Sequence, residues 1–246
     1  MDKETHFGFE TIQESEKNSK VANVFNSVAT KYDIMNDVMS LGLHRLWKKF
    51  TIETSLIKKS DKVLDIASGT GDLAQLWAKK LSKDDQGQVW VCDINHNMLN
   101  IARDRLINQG NILPIVQCDA EKLPFPDNYF NIISIAFGLR NMTHKEIALK
   151  EIYRVLKRNG KILILEFSKI YKPLSSIYDF YSFKLLPLFG KIIANDFESY
   201  KYLAQSIRIH PDQETLKSML EETGFINVSY NNLSAGIVAL HKGFKI

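Results

Sequence analysis

A chain of 246 residues is long enough for one generous α/β domain that buries its apolar surface without covalent staples. Its 45% hydrophobic and 24% charged content is that of an ordinary soluble globular protein, with no internal repeat or low-complexity tract. The net charge of +4 permits an anionic partner or surface and demands neither. No uncharged apolar run approaches the ~18 residues of a membrane-spanning helix. The polar, acid-containing start has no signal-like apolar core, so a cytoplasmic protein is expected. Cys92 and Cys118 each precede an aspartate at an expected strand end. They read as small buried hydrophobes in a reducing compartment.

Residues 1–20 read as a flexible leader and residues 21–246 as a single domain. Across residues 21–56, apolar residues recur at helical spacing (Val21, Val24, Phe25, Val28, then Leu43, Leu46, Trp47, Phe50), a helical prelude to the first strand. Strand and helix patterns then alternate. Strands are expected at Val63–Ile66, Val89–Cys92, Leu113–Gln117, Asn131–Ala136 and Lys161–Glu166. Helices are expected at Asp72–Leu81, Asn97–Ile107, Lys145–Leu156 and Glu214–Thr223. Val228–Leu233 and Gly236–His241 can pair as an antiparallel C-terminal edge. The alternation predicts an α/β fold with a doubly wound, mostly parallel, Rossmann-like sheet and helices placed before it. Residues 171–200 break the rhythm with Tyr, Phe, Leu and Ile, punctuated by Pro173, Pro187 and Gly190. They read either as an ordinary packed helix or as a lid inserted over an apolar substrate at the sheet's carboxyl edge.

The densest chemical signal is Lys62-Val63-Leu64-Asp65-Ile66-Ala67-Ser68-Gly69-Thr70-Gly71-Asp72-Leu73-Ala74, a strand that ends in a glycine turn and becomes a helix. Such a turn lets backbone approach a nucleotide-shaped cofactor. Gly69 to Ala74 formally matches G-x-G-x-x-A, so a nicotinamide enzyme is one candidate. Asp93 ends the second strand about twenty residues on and suits two ribose hydroxyls, a device dinucleotides and adenosyl cofactors share. Asp65 discriminates: a carboxylate at the end of strand one would repel a pyrophosphate and suits a cationic amino or sulfonium group. Asp119-Ala120, ending strand three, adds an acid placed for an adenine amino group, or else a plain turn former. Three carboxylates around one crevice favour S-adenosylmethionine. The stretch resembles the first motif of class I S-adenosylmethionine-dependent methyltransferases, with Ala67 in place of that motif's first glycine. The resemblance puts Thr70 and the neighbouring backbone beside the methionine moiety.

A second set of motifs is more specific. Tyr32-Asp33-Ile34-Met35-Asn36-Asp37-Val38-Met39-Ser40, Leu41 to Trp47, Phe137-Gly138-Leu139-Arg140-Asn141 and Leu165-Glu166-Phe167-Ser168 resemble the ubiquinone/menaquinone biosynthesis C-methyltransferase family. Ala194-Asn195-Asp196 to Tyr200 and Ser206 to Pro211 extend the resemblance, which spans nearly everything after residue 20. The chain departs from the family at Lys157-Arg158-Asn159-Gly160, where relatives carry Lys-Pro-Gly-Gly, and at Ala136, where some carry a cofactor-contacting serine. The resemblance implies methyl transfer from S-adenosylmethionine to a ring carbon of a polyprenyl quinol, either demethylmenaquinol or a methoxy-polyprenyl-benzoquinol. It leaves open peripheral contact with an inner membrane, a quinone-biosynthesis complex and a homodimer, and implies no nucleic acid.

A quinol carbon becomes nucleophilic as its hydroxyl loses a proton, so the site needs a base or a phenolate stabiliser. Arg140 at the tip of strand four could supply positive charge, or serve as an ion-pair partner. Asn141 could hold a ring oxygen, and Tyr32, Asp33 and His44 could handle protons. His44 and Trp47 also fit packing roles, and Phe137 lies on the substrate side. His210, before Pro211, either ends a helix or faces the quinol. No His/Cys cluster has metal-ligand spacing. An RNA methyltransferase would lean on Lys48-Lys49 and Lys58-Lys59, short pairs with no aromatic platform.

Overall fold

Strands that are apolar on both faces need cover on both sides. The central strands here read Val63-Leu64-Asp65-Ile66 and Ile132-Ile133-Ser134-Ile135. A computed structural model, describing residues 4–81, 86–194 and 196–246, supplies that cover. In chain order the elements are β1 (Glu4–Phe7), β2 (Glu10–Gln13), α1 (Glu14–Val28), α2 (Tyr32–Ser40), α3 (His44–Thr54), β3 (Lys62–Ile66), α4 (Asp72–Ala78), β4 (Gln88–Asp93), α5 (His96–Asn108), β5 (Ile115–Gln117), β6 (Phe130–Ala136), α6 (Lys145–Val155), β7 (Leu156–Phe167), α7 (Ser175–Phe180), α8 (Leu186–Phe189), α9 (Phe197–Ile209), α10 (Gln213–Thr223), β8 (Ile226–Leu233) and β9 (Val238–Phe244).

β3 to β9 form a seven-stranded sheet in the order β5-β4-β3-β6-β7-β9-β8. β5, β4, β3, β6 and β7 pair in parallel, and β9 runs antiparallel to both β7 and β8. The expected antiparallel C-terminal edge is therefore formed by β9 and β8 together, with β8 outermost. Alternation along β3 sends Val63 into one core and Leu64 and Ile66 into the other. The first core also takes Leu73 and Trp77 from α4, Leu99 and Ala102 from α5, and Tyr200 and Leu203 from α9. The second takes Leu149 and Ile152 from α6 and Leu216 and Leu220 from α10. Strand order reverses between β3 and β6, which opens a crevice at their carboxyl ends.

Three expectations change. Residues 4–20, read as part of a flexible leader, hold a β-hairpin and the start of α1. The hairpin is fastened because Ile12 is buried and the Phe7 ring stacks on Tyr202 at 4.2 Å. Cys92 and Cys118 are joined by a disulfide instead of standing as separate hydrophobes. Cys92 pairs in register with Val116, and two residues further on the chain returns Cys118 to the same face. Third, residues 171–194 are no single packed helix. Two π-wound turns, Tyr181–Leu185 and Gly190–Ala194, flank α8. Pro187 lacks the N–H that continued α-winding would use. Asn195 of the Ala194-Asn195-Asp196 motif lies outside the described residues. Among those residues, no helix is long and apolar enough to cross a membrane.

Candidate functional site

The crevice between β3 and β6 is a cavity floored by strand ends and roofed by the first helices. Its floor includes Ala67, Gly69, Asp93, Asp119, Ala120, Phe137, Gly138 and Asn141, and its roof Val21, Phe25 and Tyr32. Two non-glycine residues of this lining adopt left-handed backbone, Ala67 at φ 52° and Phe137 at φ 60°. Such residues each cost about 1–3 kcal/mol and persist where the surroundings hold them. Ala67 thus takes the backbone region in which glycine would be the easier residue. Gly138 has no such latitude, because a Cβ there would sit 2.4 Å from the Cβ of Ala67.

Asp93 is fixed at the mouth of the glycine turn. Its Oδ2 accepts the Gly69 N–H at 2.9 Å and its Oδ1 the Asn95 N–H at 2.8 Å. Each oxygen keeps lone-pair capacity for a second donor. Burial pushes this carboxyl above its ordinary range, while the backbone donors pull it back. Asn95 also caps α5 by accepting from the Met98 N–H, and its amide reaches Asn26 on α1 at 2.9 Å, which ties roof to floor. Asp119 Oδ1 accepts the Glu121 N–H at 2.9 Å. Asp93, Asp119 and Glu121 all line the cavity, and no lysine or arginine of the described residues does. Such a donor set would repel a pyrophosphate and fits a cationic sulfonium nucleoside, with Asp93 set for paired ribose hydroxyls.

The other expected cofactor residues lie outside the lining. Asp65 points into the sheet, where Oδ1 accepts the Ser134 hydroxyl at 2.7 Å and Oδ2 has no hydrogen-bond partner among the described residues. Burial pushes its carboxyl up to about 7, against the Ser134 hydrogen bond. Thr70 is buried and accepts from Arg105 at 3.2 Å. Gly71 adopts φ 83° as the turn enters α4 and packs towards Ala102. These three shape the turn without lining the cavity.

On the substrate side, Tyr32, Phe137 and Asn141 meet at the cavity. Burial pushes the Tyr32 hydroxyl up to about 12, so it stays protonated at neutral pH. The Tyr202 hydroxyl donates to Asn141 Oδ1 at 3.1 Å, which leaves the Asn141 amide N–H groups for another acceptor. Arg140, expected either to supply positive charge to the site or to serve as an ion-pair partner, takes the second role and is held away from the lining. Its buried guanidinium pairs with the buried Glu166 at 2.9 Å, donates to the Phe137 carbonyl and lies over the Phe167 ring. Asp33 is an ion-pair partner of Arg105 at 2.5 Å. His44 also turns away, its Nε2 meeting Asp37 at 2.9 Å. Trp47 lines a separate apolar groove, yet its ring stands 6.1 Å from that of Phe137. His210 lies in a third cleft with both ring nitrogens buried and without a hydrogen-bond partner among the described residues. Burial and the nearby Lys145, Arg140 and His241 hold its imidazole well below the ordinary range, and so neutral.

Sequence reasoning passed over Asn95, Met98 and Glu121 in the lining, and Glu166 beneath it. Asn95 carried a readable signal, a capping residue three positions before Met98 at the start of a helix. Glu166 stood in the Leu165-to-Ser168 motif, but its ion pair with Arg140, 26 residues away, left no local signal.

The ubiE/COQ5 methyltransferase family model matches residues 13–245. The ubiquinone/menaquinone biosynthesis C-methyltransferase UbiE of Neisseria meningitidis serogroup C is 68% identical over 241 residues, 98% of each chain. That of Chromobacterium violaceum is 64% identical over 245 residues, the full length of both. Among solved structures, an S-adenosylmethionine-dependent methyltransferase from Aquifex aeolicus superposes with a TM-score of 0.62 at 16% identity, over 87% of this chain and 98% of that one. The last likeness shows the shared fold, and the sequence matches carry the kinship. The chain belongs to the ubiE/COQ5 methyltransferase family.

Proposed function

We propose that this methyltransferase moves the methyl group of S-adenosylmethionine to a ring carbon of a polyprenylated quinol. The substrate is demethylmenaquinol, a 2-methoxy-6-polyprenyl-1,4-benzoquinol, or both. The observation that carries the reading is the cavity itself, lined among the described residues by three carboxylates and no basic side chain, with Tyr32, Phe137 and Asn141 at one end. Asp93 takes the ribose hydroxyls, Asp119 and Ala120 frame the adenine, and the Gly69 backbone lies beside the methionine part. The bound cofactor supplies an electrophilic methyl on a positively charged sulfur, which leaves as a neutral thioether. Tyr32 stays protonated and, with the Asn141 amide, would hydrogen-bond a ring oxygen as negative charge gathers there. The one proton released overall, from the methylated ring carbon, would pass to solvent. Phe137 offers the ring an apolar face, and the surrounding burial excludes water from the reacting methyl.

Residues 171–200 act as a lid on this domain and lie against a membrane surface in the reading offered here. Four lysines against one aspartate between residues 169 and 194 support it, beside exposed Ile177, Phe180 and Leu188. The test is purified protein with methyl-labelled S-adenosylmethionine and each quinol in turn. Label in the extracted quinone is expected; cofactor binding without labelled quinone would sink the reading. The ratio of turnover on the two quinols assigns the pathway.

A further inference from the structure

Behind the Trp47 indole lies a second cleft of about 320 Å³, between the α2–α3 junction and residues 170–181. Its size falls within the roughly 300–1,000 Å³ of small-molecule sites. Met39, Leu41, Leu43, Leu174, Ile177 and Ile237 supply most of its wall. Four lining side chains carry a polar atom, and each is engaged within the protein. The Ser40 hydroxyl donates to the Asn36 carbonyl and the Trp47 indole N–H to Ser234. The Tyr181 hydroxyl donates to the Val38 carbonyl, and Tyr178 hydrogen-bonds Ser182. The groove therefore offers a guest no directional partner, only apolar area and shape. Its rim stands open to solvent, with Leu41 77% and Ile177 72% exposed. Clustered apolar exposure of this kind marks a surface that something apolar covers.

The position of the groove identifies the occupant. Trp47 forms its inner wall and packs on Phe137, which lines the cofactor cavity. A ring seated at Phe137 and Asn141 would send an apolar substituent past the indole and into the groove. We propose that this groove binds the isoprenoid tail of the quinol, and that the Trp47–Phe137 pair divides ring site from tail site. The proposal rests on the quinol reading above. It assigns ring chemistry to the cofactor cavity and affinity for the tail to residues that touch neither cofactor nor reacting atoms.

The test uses the full chain in detergent with two substrates, a prenylated demethylmenaquinol and the tail-less 1,4-naphthoquinol. Leu43→Asp and Leu41→Asp, chosen in preference to any change in the 171–200 segment, place charge at the exposed rim, where the fold tolerates it. Wild-type protein should prefer the prenylated substrate in kcat/KM. Each variant should lose about tenfold on that substrate, the scale of one buried apolar group, while tail-less turnover and cofactor affinity stay unchanged. Equal losses on both substrates would overturn the proposal. So would unchanged kcat/KM on both with reduced binding to anionic vesicles, which would assign the groove to bilayer lipid. Wild-type protein that methylates both substrates equally well also contradicts the groove, whereas methylation of neither contradicts the quinol reading itself.

Discussion

The floor of the catalytic cavity and the roof of the neighbouring apolar groove are built by different physics. Strand ends from a parallel sheet make the floor, and local backbone hydrogen bonds to Asp93 and Asp119 fix their carboxylates. The groove's roof, drawn from residues 171–194, winds through short α and π turns, and no residue of α7 is buried. Beside the buried Leu186, isolated polar contacts hold it, such as the Tyr181 hydroxyl on the Val38 carbonyl and Arg208 on Asp179. A nucleoside with fixed hydrogen-bonding edges needs a rigid floor, whereas a flexible apolar chain is served by an adaptable roof. On the proposed assignment, cofactor recognition falls to hydrogen-bonded strand ends and tail recognition to an irregularly wound segment.

Mutations separate the two regions, and the largest effects belong beneath the floor. Glu166→Ala should cost about 3–5 kcal/mol, because it strands the buried Arg140 guanidinium. Thermal or denaturant unfolding reads this, and an unchanged melting temperature would return Arg140 to the role of a free catalytic cation. Asp65→Asn should do the opposite at alkaline pH. The folded-state carboxyl is raised from 3.8 to about 7, so its contribution to stability is full below about pH 4 and is lost as pH rises through 7. The stability of Asp65→Asn relative to wild type should therefore grow between pH 4 and 7, by up to roughly 4 kcal/mol, and level off above. A pH-independent difference would mean that Asp65 is ionised at little cost.

Asp93→Ala should weaken S-adenosylmethionine binding about 100-fold by calorimetry, through the loss of two charge-assisted hydrogen bonds at ~1.5 kcal/mol each. Unaltered affinity would remove Asp93 from the cofactor site. The smallest change belongs to the roof. Tyr181→Phe removes one hydroxyl contact, worth about 0.5–1.5 kcal/mol. It should raise KM for a prenylated quinol while leaving cofactor affinity alone. A matching loss of cofactor affinity would erase the distinction between roof and floor.

The floor was largely legible in the sequence because its signals are local. Apolar runs that end in Asp93 and Asp119, and a glycine turn after β3, each lie within one short stretch. Even there, the direction of a side chain was not legible. Alternation along β3 turns Asp65 into the sheet towards Ser134 instead of into the crevice. Arg140 stands at the expected strand tip, but Glu166 decides where its guanidinium goes, across 26 residues of chain. The His44 imidazole is taken by Asp37 across the turn between α2 and α3. The hairpin at residues 4–13 hides because four-residue strands leave almost no periodic pattern, and its anchor, Tyr202, is far along the chain. The roof was legible only as aromatic and aliphatic content, since irregular winding has no sequence period.

A crystal structure of the protein with S-adenosylhomocysteine tests the division of labour most directly. The account predicts ribose hydroxyls on Asp93, adenine beside Asp119 and Ala120, and the thioether sulfur facing the Tyr32, Phe137 and Asn141 end of the cavity. A ligand bound away from Asp93, or with its sulfur turned from Tyr32 and Asn141, would contradict it.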